Sequence, residues 1–244
     1  MQLRIGHLYP DLLDLYSDRG NVIILEKRAA WRGLSVTVDQ ISLGHEPRLR
    51  DYDILLMGGG MDREQGIVAS DLQKRRDNLA DAVGTGTVVI GICGGYQLLG
   101  NYFETNGGQR IPGLGLLDIE TVGGKKRMVG NVVAEMEIDG EKLPIIGYEN
   151  HSGATVLGLN VQPMMKIVKG FGNDGTSGWE GVRQGTIFGT YLHGPLLAKN
   201  PKLADYLITL ALRRHDMSFT LDSLNDDLEA RTQQKLYKRL VEAK

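Results

Sequence analysis

The chain has one cysteine, Cys93, among its 244 residues, so an intramolecular disulfide is excluded. A lone thiol fits a reducing compartment. Long apolar runs are also missing, and every stretch falls far short of the ~20 residues a membrane helix requires. The start, MQLRIGHLYPDLL, has no basic region followed by an extended apolar segment, so it does not read as a signal peptide. The resulting expectation is a cytoplasmic protein with no membrane insertion. Neither sign of charge dominates: the formal net charge is −2, which argues against a nucleic-acid or polyanion partner while leaving room for a local basic site. No G-x-x-x-x-G-K-[ST] loop occurs, so ATP chemistry is not expected of this chain. Internal repeats, low-complexity tracts and long linkers are absent too, and the expectation is one domain over residues 1–244. A chain of this length buries a substantial core without disulfides or metals.

Glycine, by contrast, is abundant at 33 residues, often in pairs and triplets after apolar runs. That pattern predicts tight turns at strand ends, where α/β folds build their sites. Residues 3–8 read as a strand, 21–32 as a helix closed by Gly33, and 36–41 as a second strand. The runs DILLM (53–57) and TVVIGI (87–92) suit strands buried on both faces, with one helix over 65–83 between them. A further helix starts near Tyr96. Residues 114–169 alternate in short runs between glycine-rich turns and predict short antiparallel strands. A late strand is predicted over 187–193, and helices over 202–214 and about 221–240. The order predicts an α/β fold: a mostly parallel, helix-flanked sheet with short antiparallel strands added.

The sharpest motif is GICGGYQLLG, residues 91–100. An apolar strand delivers Cys93 to a tight turn, and a helix follows at once, as in a nucleophile elbow. A free thiol has a reference pKa of about 8.5 and is only slightly ionised at neutral pH. A helix N-terminus and a nearby imidazole would both raise the thiolate fraction. A lone cysteine is more often inert and buried, but the flanking glycines and the strand-to-helix switch weigh against that here. Five histidines are candidate bases: His7, His45, His151, His193 and His215. His193, in GTYLHGPLL, falls at a predicted strand end on the same sheet edge as Cys93, and His151, in YENHSG, is the runner-up. Acyl transfer also needs donors for an oxyanion, and the backbone of Gly58, Gly59 and Gly60, with that of Gly94, is placed to supply them.

These motifs resemble a family. GICGGYQ resembles the C-x-G-x-Q nucleophile motif of the class I (triad) glutamine amidotransferases, and MGGGMDREQ their oxyanion loop. YENHSG and GTYLHGPLL are similar to the branch of the cobyric and cobyrinic acid amidating enzymes. Within it, LYSDRGN, GGGMDREQ, CGGYQLLG, KRMVGN and YLHGPLLAKNP together look like the glutaminase subunits of lipid II isoglutaminyl synthases, over residues 15–201. The resemblance implies that Cys93 attacks the carboxamide of L-glutamine and that His193 activates it and protonates the departing ammonia. It implies that Gln97 helps hold the substrate. Gly59 and Gly94 would then bind the oxyanion, with Gly60 the alternative to Gly59. Arg127 would bind the glutamine α-carboxylate, its other reading being a solvated charge beside Lys125 and Lys126. A Mur-ligase-like partner subunit in a heterodimer would carry ATP and magnesium and amidate the stem-peptide D-glutamate of lipid II. The rivals are a glutaminase serving cobyrinate or another acid, and a catalytically silent scaffold of the same fold.

One departure stands out. Many class I members carry a glutamate two residues after the histidine, and here that position is Pro195. The group that orients His193 must come from elsewhere. Glu149 and Glu180 are conceivable by folding, but the expectation is a carboxylate donated across the interface by the partner.

Overall fold

The structure, a computed structural model, describes residues 1–242. The first half alternates as expected: β1 (Gln2–Leu8), α1 (Arg19–Ala30), β2 (Ser35–Ile41), β3 (Ile54–Met57), α2 (Asp62–Lys74), α3 (Arg76–Gly84), β4 (Val88–Ile92) and α4 (Gly94–Leu99). Two short strands follow, β5 (Tyr102–Glu104) and β6 (Arg110–Pro112), then β7 (Ile119–Ile138), β8 (Glu141–Leu157), β9 (Gln162–Lys169), β10 (Trp179–Gln184) and β11 (Ile187–Thr190). Helices α5 (Leu196–Lys199), α6 (Pro201–Leu212) and α7 (Asp227–Glu242) end the chain.

All strands belong to one mixed sheet of order β2-β1-β3-β4-β11-β10-β9-β7-β5-β6, with β8 paired to β7. Strands β2, β1, β3, β4 and β11 run parallel, and the rest extend the sheet mainly by antiparallel pairs. Every residue of β3 and β4 is buried, because α1 and α6 among other helices cover the parallel half. Strand order reverses between β1 and β3, and in such sheets the crevice beyond the carboxyl ends at the reversal is the ligand site. The loops after β1 and β3 and the turn after β4 all open there.

Three boundaries differ from the sequence reading. The expected single helix over 65–83 is two, because the backbone leaves helical geometry at Arg75 (φ −95°, ψ 2°). The Arg75 guanidinium is tied back to Asp71 and to the Ser42 carbonyl. The antiparallel region holds two long strands rather than many short ones: β7 and β8 form a hairpin of 20 and 17 residues. Glycines read as turns, such as Gly130 and Gly147, lie within the ladder. The real turn is Asp139-Gly140, both at positive φ, as a two-residue hairpin requires. Finally, α7 starts at Asp227 rather than near 221. Asp226 is drawn into ion pairing with buried Arg28, and Arg32 holds the Asp222 carbonyl, so residues 221–226 are tied to α1 and lie outside the helix.

Candidate active site

Cys93 sits between β4 and α4 with φ 51° and ψ −105°, a conformation that L-residues rarely adopt. Its amide donates to the Thr190 carbonyl of β11 (2.8 Å), which fixes the turn against the neighbouring strand. Gly95 lets the turn pack closely against β3 on the other side, since a Cβ there would collide with the Met57 carbonyl. Cys93 as a whole is 7% exposed.

His193 is fully buried three residues past the end of β11. It is held by an isolated antiparallel bridge to Tyr148 of β8, His193 N–H to Tyr148 O at 2.8 Å and the reverse bond at 3.2 Å. Its Nδ1 lies 2.9 and 3.1 Å from the two carboxylate oxygens of Asp18. Asp18, also fully buried, belongs to the loop after β1 and accepts a second bond, from the Gly59 amide to Oδ2 (2.8 Å). The far nitrogen, Nε2, is buried with no hydrogen-bond partner among the described residues and is thus open for proton transfer. Burial disfavours charge on the ring, but the Asp18 carboxylate and Cys93 outweigh it and push the imidazole up to about 10.

Asp18 therefore fills the place of the orienting acid. The expectation of a partner carboxylate is corrected: Nδ1 already has a buried acceptor from this chain. Glu149 and Glu180 are engaged elsewhere. Glu149 accepts the amides of Phe171 (2.7 Å) and Gly172 (2.9 Å). Glu180 accepts the Thr190 hydroxyl (2.5 Å) and the Tyr191 amide (2.8 Å).

The oxyanion assignment also changes. The Gly59 amide is taken by Asp18, so it does not face the thiol. What Gly59 supplies is space: a Cβ there would lie 2.9 Å from His193 Cε1 and 3.3 Å from Cys93 Cβ. The Gly59 carbonyl accepts the Leu15 amide (3.1 Å), which turns the trans-related Gly60 N–H the opposite way. Gly60 N lies 3.0 Å from where a Gly94 Cβ would stand, so the Gly60 amide is close to the residue that follows Cys93, and Gly60, the alternative, is better placed than Gly59 to serve with Gly94. Gln65 steadies the loop by donating to the Gly60 carbonyl (3.0 Å).

Beside the thiol opens a cavity of about 380 Å³ whose lining includes Cys93, Gln97, Tyr16, Arg127, Asn150 and His151. Gln97 donates to the Tyr191 hydroxyl (3.2 Å), and its Oε1 is buried without a partner among the described residues. Arg127 arrives by a bulge in β7: Gly123 faces Gly153, yet Met128 already faces His151, so the residues between are thrown outward. Its Nε donates to Asn150 Oδ1 (2.5 Å). A thiol, an imidazole oriented by a carboxylate, two adjacent amides and a cavity bearing a cation suit acyl transfer from a small anionic substrate.

Residues 4–201 match the CobB/CobQ-like glutamine amidotransferase domain. The chain belongs to this family. Among its relatives, the protein named lipid II isoglutaminyl synthase (glutamine-hydrolyzing) subunit GatD from Streptococcus pneumoniae is 39% identical over 87% of this chain and 82% of its own length. The GatD of Staphylococcus aureus is 36% identical over 98% of this chain and 96% of its own. A probable cobyric acid synthase of Methanococcus maripaludis is 34% identical over 78% of this chain but only 39% of its own length. PurLQS from Thermotoga maritima shares the fold with a TM-score of 0.60 at 19% identity, over 88% of this chain and 99% of that one.

His151, which lines the amidotransferase's cavity, is built differently from His193. Its ring stacks on Tyr191 (3.6 Å between centroids), Nδ1 bonds the Gly153 carbonyl (2.8 Å), and Nε2 lies 3.7 Å from Glu149. His7 is buried within β1, and His215 pairs with Asp53. The residue that sequence reading missed is Asp18. The segment LYSDRGN pointed to it without giving it a role.

Proposed function

We propose that this chain is the glutamine-hydrolysing subunit of a lipid II isoglutaminyl synthase. The observation that carries the chemistry is the Asp18–His193 pair set against Cys93 on its elbow. In the first step His193, whose pairing with Asp18 favours the imidazolium, holds the thiol proton on Nε2 while the sulfur attacks the carboxamide carbon. The oxyanion forms against the Gly60 and Gly94 amides. Collapse transfers the proton from the imidazolium to the amine, ammonia leaves, and a glutamyl thioester remains on Cys93. Water, deprotonated by His193, then releases glutamate and restores the thiol. Asp18 holds Nδ1–H and stabilises the imidazolium formed in each half-reaction. Arg127 binds the α-carboxylate, and the unpartnered Oε1 of Gln97 accepts from the substrate.

The acceptor chemistry is assigned to a second subunit of the MurT-like, Mur-ligase type, in a heterodimer. It would carry ATP and magnesium and amidate the α-carboxyl of the stem-peptide D-glutamate in lipid II. End-to-end likeness to two GatD subunits favours this acceptor over cobyrinate. No helix of the described residues is long and apolar enough to cross a membrane, in keeping with work on the cytoplasmic side. Two tests separate the readings. A glutamine-analogue electrophile should label Cys93, and a chain that resists labelling would be the silent scaffold. Co-purification should retrieve a Mur-ligase-like protein, whereas a cobyrinate-type synthetase would transfer the proposal to the rival acceptor.

A further inference from the structure

Tyr16 and Asn150 carry an arrangement that the mechanism above does not use. Arg127 only donates hydrogen bonds, so its contact with Asn150 fixes the amide: Oδ1 faces the guanidinium and Nδ2 faces away. That Nδ2 donates to the Tyr16 hydroxyl oxygen at 2.6 Å, and Arg127 Nη2 reaches the same oxygen at 3.5 Å. Two donors from β7 and β8 thus converge on a single oxygen at the rim of the Cys93 cavity. Tyr16 reaches this point from the loop after β1, with its ring edge-on to His193 (4.9 Å between centroids). It is 40% exposed, and its φ of 55° and that of Ser17, 64°, hold the segment in the left-handed region. An exposed phenol on strained backbone is an unusual shared acceptor for an amide and a guanidinium that are already paired with each other.

We infer that Asn150 Nδ2 is a second donor for the α-carboxylate of glutamine, and that the Tyr16 hydroxyl occupies this carboxylate position in the empty enzyme. The inference rests on the proposed role of Arg127. A carboxylate oxygen entering at the phenol position takes both donors, and Tyr16 leaves by rotating its side chain toward solvent. Substrate without an α-carboxylate cannot displace it. The subsite therefore selects α-amino acids over simple amides, and the carboxylate, not the reacting amide, opens the site.

Inactivation by 6-diazo-5-oxo-L-norleucine, read by the intact mass of the full chain, tests this. The compound keeps the α-carboxylate of glutamine, and the assay separates the half-saturating concentration from the maximal inactivation rate. Asn150→Ala should raise the half-saturating concentration roughly 10-fold or more, as loss of a donor to a charged group does, with a smaller change in maximal rate. Asn150→Asp keeps an acceptor for Arg127 but loses the donor, so it should bind no better than Asn150→Ala. Tyr16→Phe should lower the half-saturating concentration roughly 2–10-fold, because one competing hydrogen bond is gone. Chloroacetamide, which has no α-carboxylate, should label the Asn150→Ala variant no more slowly than the wild type, because the variant loses the donor that holds Tyr16 in place. Wild-type affinity in Asn150→Asp would make Asn150 a positioning residue for Arg127 and overturn the inference. Weaker binding in Tyr16→Phe would make the phenol a substrate contact and overturn it equally. If Arg127→Ala leaves the half-saturating concentration unchanged, the carboxylate reading of Arg127 fails. If only the Asn150 variants leave it unchanged, that reading stands and this inference alone falls.

Discussion

Replacing Asp18 by asparagine perturbs one atom and should nearly stop turnover. Asp18 Oδ2 accepts the Gly59 amide, and that amide still needs an acceptor in the variant. The asparagine oxygen must therefore face Gly59, which leaves the NH₂ group facing His193 Nδ1. Nδ1 is then forced to accept, the ring proton moves to Nε2, and the nitrogen nearest Cys93 can no longer take the thiol proton. The charge-assisted bond to the imidazolium is lost as well, worth about 1.5–3 kcal/mol or roughly 10- to 150-fold in rate. The tautomer trap adds to this, and in the analogous Ser-His-Asp arrangement the Asn variant loses about 10⁴-fold. The expectation is a fall in kcat between about 10² and 10⁴-fold. KM should change little, because Asp18 does not line the substrate cavity. Glutamate release from L-glutamine, followed by coupled oxidation with glutamate dehydrogenase, measures both constants. A kcat within about threefold of wild type would refute the assignment of Asp18 and return the search to a group outside this chain.

The other predictions follow from the same geometry. Cys93→Ala should abolish glutamine hydrolysis with an unchanged circular dichroism spectrum, because it removes the sulfur and little volume. Gly59→Ala should cost about 10²-fold in kcat, since its Cβ would displace the His193 ring, 2.9 Å away, and misplacements of this kind cost that much. Arg127→Ala should raise KM for glutamine about tenfold or more through loss of a charge-assisted contact. Folding raises the His193 pKa to about 10, so its pairing with Asp18 stabilises the protein fully below pH 6.5 and is lost as pH rises through about 10. The melting temperature of wild type minus that of Asp18→Asn should therefore shrink across that window, as thermal melts can show. Burial likewise lifts Glu180 to about 7, so its contribution is lost between about pH 4.5 and 7. Glu180→Gln should flatten the pH dependence of stability there.

The parallel half of the fold was legible because β3 and β4 are short, predominantly apolar runs, one closed by three glycines and the other by Cys93, and burial on both faces leaves that mark in sequence. The juxtaposition of Cys93 and His193 was legible for a related reason: both follow strands that end on one edge. Asp18 was not legible. It lies 175 residues from His193 in a loop that neither hydrophobic period nor turn chemistry describes. The positive φ of Tyr16 and Ser17 that sets up this loop leaves no trace in residue type. One clue was available: an acid after β1 falls at the point where strand order reverses, on the same edge as the other two groups. Gly59 shows the opposite limit. It was read as a backbone donor for the oxyanion, and sequence could not tell that role from room for an imidazole. The β7–β8 hairpin was missed because its glycines resemble turns, whereas they serve close contacts such as that of Gly147 with Leu192.

The central claim is that nitrogen released at Cys93 becomes the amide of lipid II. The direct measurement supplies L-glutamine labelled with ¹⁵N in its side-chain amide to the complex of this chain and its co-purified partner, with ATP, magnesium and lipid II. Mass spectrometry of the stem peptide should place ¹⁵N in the α-amide of D-isoglutamine, and the Cys93→Ala complex should transfer none. An unlabelled stem peptide from the active wild-type complex, or equal labelling by Cys93→Ala, would contradict the account.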